Sequence, residues 1–121
     1  MYFVGIDIIE ISRIQRAMER CGKRFLNRVY TDPELRLCRE KPSSLAVRFA
    51  GKEAVMKALG TGAKGVSWRE IEILAEPSGK PLVNLYGKAQ AKADSLGLGT
   101  LAISLSHSRE HAIAFVIGEA K

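Results

Sequence analysis

The segment RFAGKEAVMKALGTG, residues 48–62, constrains this chain more than any other part of its sequence. Its apolar residues are spaced as in a buried helix, yet the same stretch contains the charged residues Glu53 and Lys57. The two residues are four apart, so they share one helix face, with their Cβ atoms about 6 Å apart. An isolated pair of this kind is typical of an ion pair within a helix. Two neighbouring features favour a functional site instead.

The first feature is the glycine-rich sequence GTGAKG, residues 60–65, which follows the predicted helix within one turn of Lys57. Glycines carry no side chain, so their backbone can approach an anion closely. We therefore expect Gly60, Thr61 and Gly62 to lie against a bound phosphate group.

The second feature is Asp7, a carboxylate inside an otherwise apolar stretch at residues 2–9. A carboxylate in a buried strand is unfavourable unless it is paired or bound to a cation. Asp7 and Glu53, from different elements, can share Mg²⁺, which takes one or two carboxylates from protein and leaves its other positions to water and substrate phosphates. Lys57 can hold another phosphate oxygen. This combination suits a phosphate ester with a divalent ion, but its spacing is not that of a P-loop.

The remaining patterns predict an α+β fold with a mostly antiparallel sheet packed with a long helix, in a single domain over residues 1–121. Helix 10–28 contains Cys21-Gly22, where it bends or divides. The short helix at 31–40 is capped by Thr31 or Asp32, and the long helix is capped by Ser43 or Ser44 and stops at Gly60. In chain order, the predicted elements are a strand at 2–9, helices at 10–28, 31–40 and 44–59, strands at 68–74 and 82–86, a helix at 87–96, and strands within 100–108 and 111–119.

Two motifs resemble the signatures of the phosphopantetheinyl transferases. VGIDIIEISRI, residues 4–14, contains the G-x-D of the first signature, and RFAGKEAVMKALGTG contains the [WF]-x-x-K-E-A-x-x-K of the second. The second motif is the specific one, because Phe49, Lys52, Glu53, Ala54 and Lys57 all match it. The chain length, the motif order and the final SLSHSREHAIAFV resemble the short bacterial holo-acyl-carrier-protein synthase branch of that family, and the likeness covers essentially the whole chain.

The resemblance implies a reaction and its principal residues. In that family a serine hydroxyl of an acidic acyl carrier protein attacks the β-phosphate of coenzyme A, which yields the 4'-phosphopantetheinylated carrier for fatty acid biosynthesis and adenosine 3',5'-bisphosphate. Asp7 and Glu53 would bind Mg²⁺ with the coenzyme A pyrophosphate, and Lys57 would contact the substrate phosphate. Glu53, directly or through a metal-bound water, is the candidate base.

Several other residues have a functional and an ordinary interpretation. Ser106 and His107 either contact the adenosine or its 3'-phosphate, or form a polar pair at a strand end. Lys80 and Pro81 resemble a nucleotide-contacting turn of the family, although a plain hairpin is the favoured explanation. Arg48 is long enough to reach phosphate, or is a surface arginine.

A basic stripe is predicted on the first helix, together with two apolar residues beside it. It is either a solvated face or the surface on which the acidic carrier protein docks, as the resemblance implies, since opposite charges speed such an encounter. The predicted carrier-binding residues are Arg13, Arg16, Met18, Arg20, Arg24, Phe25 and Arg28.

The resemblance also implies a homotrimer with its sites at subunit interfaces. Glu53 and Lys57 of one subunit would then face Ser106 or His107 of a neighbour. A chain of 121 residues has little room for both a scaffold and a deep pocket, which independently favours a site between subunits.

The net charge of +6, from 19 basic and 13 acidic residues, implies an acidic partner but does not identify one. A small RNA- or DNA-binding domain would share the arginine-rich helix, but only 7% of the residues are aromatic and no nucleic-acid signature is present. A different Mg²⁺-dependent phosphotransferase is a third hypothesis. We expect no nucleic-acid or membrane partner.

The sequence favours a cytoplasmic protein. Cys21 and Cys38 fit no metal or redox spacing and are expected to be reduced thiols. The apolar N-terminus is short and lacks the features of a secretory signal. No apolar run approaches the roughly 18 residues of a membrane span.

Overall fold

A computed structural model describes residues 1–121. The elements, in chain order, are β1 (Tyr2–Glu10), α1 (Ile11–Cys21), α2 (Lys23–Val29), α3 (Asp32–Cys38), α4 (Pro42–Leu59), β2 (Ile71–Ala75), β3 (Pro81–Leu85), α5 (Gly87–Ser95), β4 (Leu98–His107) and β5 (His111–Ala120). Short 3₁₀ turns occupy Gly62–Lys64 and Trp68–Glu70. The predicted α+β class is confirmed, and the strands and helices follow one another in the predicted order.

All strand pairs are antiparallel, but they form two sheets. The larger sheet has the order β1-β5-β4, and β2 pairs with β3 in a separate hairpin. In the larger sheet Asp7 lies opposite Ala114, which in turn lies opposite Leu105. Side chains in such a row point to the same face of the sheet, and in this row that face packs on α4. The opposite face carries exposed apolar side chains.

The helix α4 is the centre of the molecule, and two glycines set its distance from the strands. A Cβ on Gly5 of β1 would lie 1.8 Å from the carbonyl oxygen of Ala54, so the strand backbone rests directly on the helix backbone. A Cβ on Gly51 of α4 would lie 2.4 Å from the Cδ1 of Ile73 on β2. Only glycine permits the approach at Gly5, where a Cβ would meet backbone atoms, whereas a Cβ on Gly51 would require the Ile73 side chain to move. Asp7, two residues after Gly5, is thereby held near α4.

The start of α4 differs from the prediction, whereas the predicted break in the first helix is confirmed. The first predicted helix divides at Gly22, whose φ of +53° suits glycine, so that the basic stripe spans α1 and α2. Neither Ser43 nor Ser44 caps α4: the helix begins at Pro42, whose fixed φ and missing N–H suit a first turn, and Lys41 is the flanking residue. Thr31 caps α3, as one of the two predicted alternatives required.

The predicted strand at 68–74 begins three residues late, because Trp68–Glu70 is a 3₁₀ turn. Glu70 explains the turn: its carboxylate accepts hydrogen bonds from the backbone N–H of Ser67, at 2.8 Å, and of Lys88, at 2.6 Å. The side chain thus joins this turn to the start of α5. None of the helices combines the length and apolar character that crossing a bilayer requires.

Candidate active site

Asp7, Glu53 and Lys57 lie close together, although the first is distant from the others in sequence. The Lys57 Nζ lies 3.1 Å from the Asp7 Oδ1 and donates a hydrogen bond to the Ile6 carbonyl at 2.8 Å. The Asp7 side chain is 12% exposed and that of Lys57 is 54% exposed. Lys57 therefore forms its ion pair with Asp7 on β1. The structure does not show the simple intrahelical pair between Lys57 and Glu53.

Glu53 lies in a field of mixed charges. Partial burial raises the pKa of its carboxyl, and the carboxylate of Asp7 raises that pKa further, whereas Lys57 and Arg13 act in the opposite direction. The net result is a raised pKa. Burial is the largest cause of this rise, and the carboxylate of Asp7 is close enough to add to it.

This arrangement fits a magnesium ion. Two neighbouring carboxylates provide hard oxygen ligands, and a divalent cation between them would offset their repulsion. No group of three or more His, Cys, Asp or Glu side chains is positioned to hold a metal.

A cleft of about 330 Å³ opens beside these residues. Its walls combine the charged side chains of Glu53, Lys57 and Arg13 with apolar ones, among them Phe49 and Trp68. The rings of Phe49 and Trp68 stack, with centroids 4.7 Å apart and an angle of 24° between their planes. Gly62 of the glycine-rich loop also lines this cleft. The arrangement can hold an anionic group at one side and an apolar chain at the other.

The other predicted nucleotide contacts lie away from this cleft in the same chain. Ser106 lies opposite Ile113 in the register, on the face of the sheet that points away from α4, so the sheet separates it from Glu53. His107 is exposed at the end of β4. Lys80 lies in the turn between β2 and β3, and Pro81 is the first residue of β3.

Arg48 is not a surface residue, so that interpretation of it is wrong. It is 8% exposed, and its Nε donates to the Ile73 carbonyl at 3.0 Å. Its Nη1 donates to the carbonyl and the hydroxyl of Ser44, one turn earlier on α4. These bonds tie α4 to β2, and Arg48 does not line the cleft; its predicted contact with phosphate stays a prediction.

Comparison with known proteins identifies the family. The family model of the 4'-phosphopantetheinyl transferase superfamily matches residues 3–116. The chain belongs to that superfamily. A holo-[acyl-carrier-protein] synthase of Dehalococcoides mccartyi is 56% identical over 119 residues, which cover 98% of this chain and 99% of that protein. One from Herpetosiphon aurantiacus is 50% identical, with 98% of each chain covered.

A solved structure shows the same fold. The Helicobacter pylori holo-[acyl-carrier-protein] synthase in complex with coenzyme A superposes with a TM-score of 0.88, at 38% identity, over 96% of this chain and 99% of that chain. The predicted family and fold are thus confirmed for this phosphopantetheinyl transferase.

The predicted basic stripe of the transferase lies on α1 and α2, and its five arginines are all exposed. Met18 and Phe25 are half-buried between these helices and the core, and Phe25 contacts Phe49 with ring centroids 6.5 Å apart. A row of aromatic rings therefore connects the basic helices with the cleft. The exposed arginines are Arg13, Arg16, Arg20, Arg24 and Arg28.

A buried polar network lies beneath this site. Of its members, only Lys52 belongs to a motif that the sequence reveals. Lys52 pairs with Glu34 at 2.7 Å, and both side chains are completely buried. Glu72 on β2 accepts hydrogen bonds from Thr31, Asn84 and Tyr86. A lysine in an apolar helix was one available signal, but nothing in the sequence pairs it with Glu34.

Proposed function

We propose that this transferase moves the 4'-phosphopantetheine arm of coenzyme A to a serine of an apo acyl carrier protein and releases adenosine 3',5'-bisphosphate. The observation that carries the proposal is the convergence of Asp7, Glu53 and Lys57 beside a cleft. The relatives named holo-[acyl-carrier-protein] synthase and the related structure with coenzyme A support it. We further propose that the chain is a single transferase domain and that its product supplies fatty acid biosynthesis.

In the proposed reaction, the serine Oγ forms a bond to the β-phosphorus of coenzyme A. The bond from that phosphorus to the bridging oxygen of the pyrophosphate breaks, and the bridging oxygen leaves with adenosine 3',5'-bisphosphate. The serine proton must pass to a base, and we assign it to Glu53, whose raised pKa makes its carboxylate a better proton acceptor. Because phosphoryl transfer depends mainly on positioning and charge stabilisation, the surrounding cations matter as much as the base.

Lys57 is the residue proposed to contact the transferred phosphate. Its ammonium is half exposed and stands beside Asp7, so it can contact a substrate oxygen without leaving that carboxylate. Asp7 and Glu53 would hold the magnesium ion, which when bound offsets charge on the pyrophosphate and on the leaving phosphate. Gly60, Thr61 and Gly62 would give close backbone contact to the same anion.

A homotrimer with sites between subunits would complete the nucleotide site. Exposed apolar side chains of β1 and β5 lie on the face of the sheet opposite α4, including Ile8 at 61% and Phe115 at 41% exposure. Contiguous apolar patches of this kind mark protein interfaces. Ser106 lies on that same face, beyond reach of its own Glu53, so a neighbouring subunit's Ser106 would complete the site. His107 follows it at the end of β4, in the register row of Ala112 on the other face, and is exposed there; we propose that it contacts the nucleotide from this strand end. Lys80 and Pro81, and Arg48, are weaker proposals for nucleotide contact.

The carrier protein would dock on α1 and α2. The five arginines there are exposed and face outward beside Met18 and Phe25, which suits an acidic partner with an apolar patch. We also propose that the enzyme acts in the cytoplasm, since both cysteines are free thiols, as expected in a reducing compartment.

Mass spectrometry of a candidate apo carrier protein tests the reaction directly. After incubation with the enzyme, coenzyme A and Mg²⁺, the carrier should gain the mass of one phosphopantetheine at its serine. Glu53→Gln should lower the initial rate by about a hundredfold or more, because the proposed base and one of the two proposed magnesium ligands are lost. A Glu40→Gln variant, which changes an exposed carboxylate after α3, should act at the wild-type rate. An unmodified carrier with the wild-type enzyme would refute the proposed reaction.

A further inference from the structure

Lys52 is a buried cation with an unusually complete set of partners. Its Nζ lies 2.7 Å from the Glu34 Oε1, donates to the carbonyls of Trp68, at 3.0 Å, and Ile71, and stands 5.6 Å from the centre of the Tyr30 ring. Glu34 uses its remaining capacity on the backbone N–H groups of Thr31 and Ile73, both at 2.8 Å. No buried polar side-chain atom of the molecule lacks a partner.

A buried ion pair is not by itself a strong source of stability. Removing two charges from water is so unfavourable that well-packed apolar residues of similar size often stabilise a core equally well or better. The reason for an ion pair here is therefore better sought in the groups that it holds in place. Those groups are the carbonyls at the two ends of one short segment, Trp68 and Ile71, which bracket the 3₁₀ turn.

The segment that Lys52 holds forms part of the cleft. The Trp68 indole stacks on Phe49, and both rings line the cleft together with Glu53. Lys52 and Glu53 are consecutive on α4, so their side chains leave the helix about 100° apart. One side chain points into the core beneath the turn, and the other borders the cleft. A single helix thus sets both the reacting carboxylate and the support of the aromatic wall.

We propose that Lys52 is a positioning residue of the transferase: its ammonium anchors the Trp68–Glu70 turn to α4, so that the Trp68 indole is a fixed wall of the cleft that contains Glu53. The effect on turnover rests on the proposed function, whereas the effect on Trp68 does not. Lys52 touches neither substrate nor reacting atoms. It acts through the Trp68 carbonyl.

Trp68 is the only tryptophan of the chain, so its fluorescence reports directly on this wall. Lys52→Met keeps the length of the side chain and removes the donor. We expect the emission of Trp68 to shift to longer wavelength and to be quenched more by acrylamide than in the wild type. In the carrier-modification assay kcat should fall by about tenfold to a hundredfold, as for a small misplacement of a reacting group. The KM for the carrier protein should stay within about twofold, because α1 and α2 are not altered.

Two companion variants separate positioning from stability. The double variant Lys52→Met with Glu34→Gln removes both charges of the pair, so neither is left buried without its partner, and its melting temperature should recover towards the wild-type value. Its Trp68 emission and its kcat should nevertheless stay altered, since the turn still lacks its anchor. Tyr30→Phe removes a buried hydrogen bond to the Leu45 carbonyl, 2.7 Å long, without altering the turn. It should lower the melting temperature and leave emission and kcat unchanged.

The outcomes decide the proposal independently of the reaction. Wild-type emission and quenching in the double variant, or a wild-type kcat in it, would show that Lys52 merely neutralises Glu34 and would overturn the proposal. Should Lys52→Met fail to fold, the double variant still gives this comparison. If the wild-type enzyme itself leaves the carrier unmodified, the proposed function fails, while the emission and quenching of Trp68 still test the anchor.

Discussion

Lys52 and Glu53 are neighbours in sequence but differ in charge, in burial and in the direction in which their pKa is shifted. Lys52 is buried, and burial lowers its pKa while Glu34 acts to raise it. Glu53 is half-buried beside Asp7, and its pKa is raised. The difference arises because consecutive residues on a helix point in directions about 100° apart. At the scale of the residue, one position supports the site and the next belongs to it.

The proximity of Glu53 to Asp7 predicts a conflict between stability and function. A folded-state pKa above the unfolded value means that ionised Glu53 destabilises the metal-free protein at neutral pH. Glu53→Gln should therefore melt at a higher temperature than the wild type without Mg²⁺, in scanning calorimetry at pH 7. Millimolar Mg²⁺ should raise the melting temperature of the wild type and leave that of the variant nearly unchanged. An equal response of both proteins to Mg²⁺ would show that Glu53 is not a ligand.

Glu72 predicts how stability depends on acid. Burial raises the pKa of its carboxyl, but hydrogen bonds from Thr31, Asn84 and Tyr86 outweigh burial, so the net pKa lies below its ordinary value of 4.5. A depressed pKa gives stability that is present above that ordinary value and is lost as the pH falls further. In urea titrations the difference in unfolding free energy between wild type and Glu72→Gln should shrink from about pH 5 to pH 3. A constant difference over that range would contradict this role.

At the scale of the element, the packing of β1 on α4 positions Asp7. Gly5→Ala would place its Cβ against the Ala54 carbonyl, so the strand must move away. We expect a loss of about 1–3 kcal/mol in unfolding free energy and a fall in activity as Asp7 is displaced. Gly97→Ala is the matched control: its φ of +71° is strained for alanine, but no atom lies within 4 Å of the added Cβ. It should destabilise by about 1 kcal/mol and retain activity, and a larger effect than that of Gly5→Ala would contradict the account.

The pair α1 and α2 predicts a separate effect on the carrier protein. Arg13 lines the cleft and influences Glu53, so it cannot report on docking alone. Arg20 and Arg24 are exposed on either side of the break at Gly22 and do not line the cleft. Replacing both with Glu should raise the KM for the carrier by about tenfold or more, since like charges would oppose an acidic partner. The KM for coenzyme A should stay near its wild-type value, and an equal rise in both constants would refute a docking role.

At the scale of the whole molecule, the sheet separates the two predicted halves of the site. Asp7 points towards α4, whereas Ser106 lies on the other face with the exposed apolar side chains. Under the proposed shared site, Ser106 would therefore serve a different site from the Asp7 of its own chain. A complete site would then form only by association of chains, and closed symmetric assembly is the usual means.

Mixing two inactive variants tests this association. Glu53→Gln and His107→Ala should each be inactive alone. The two variants are unfolded together and refolded. A site between subunits is then intact when Glu53 comes from a His107→Ala chain and His107 comes from a Glu53→Gln chain. Random mixing at equal amounts gives about a quarter of wild-type activity. Light scattering should give three times the chain mass of 13.3 kDa. A fully active monomer, or no recovery from a mixed trimer, would refute the shared site.

The sequence determined much of the fold because its signals are local. The alternation of apolar residues, the capping Thr31 and the stop at Gly60 each depend on a few neighbouring residues, and the structure agrees with them. Two predictions were wrong, the start of α4 and the start of the strand after Trp68. Pro42 sets the first of these boundaries, and the hydrogen bonds of the Glu70 carboxylate set the second. Glu70 contacts Lys88, eighteen residues away, which no short window of sequence includes.

The sequence by itself also predicted candidate residues for the chemistry, since a K-E-A-x-x-K motif and a G-x-D motif can be identified without coordinates. Only the tertiary structure decided that Lys57 pairs with Asp7 instead of Glu53, that Arg48 and Lys52 are buried, and that Ser106 lies behind the sheet. The physical reason is that residue type and spacing fix what a side chain can do. Its neighbours, and therefore its charge environment, are fixed by contacts between segments that are far apart in the chain.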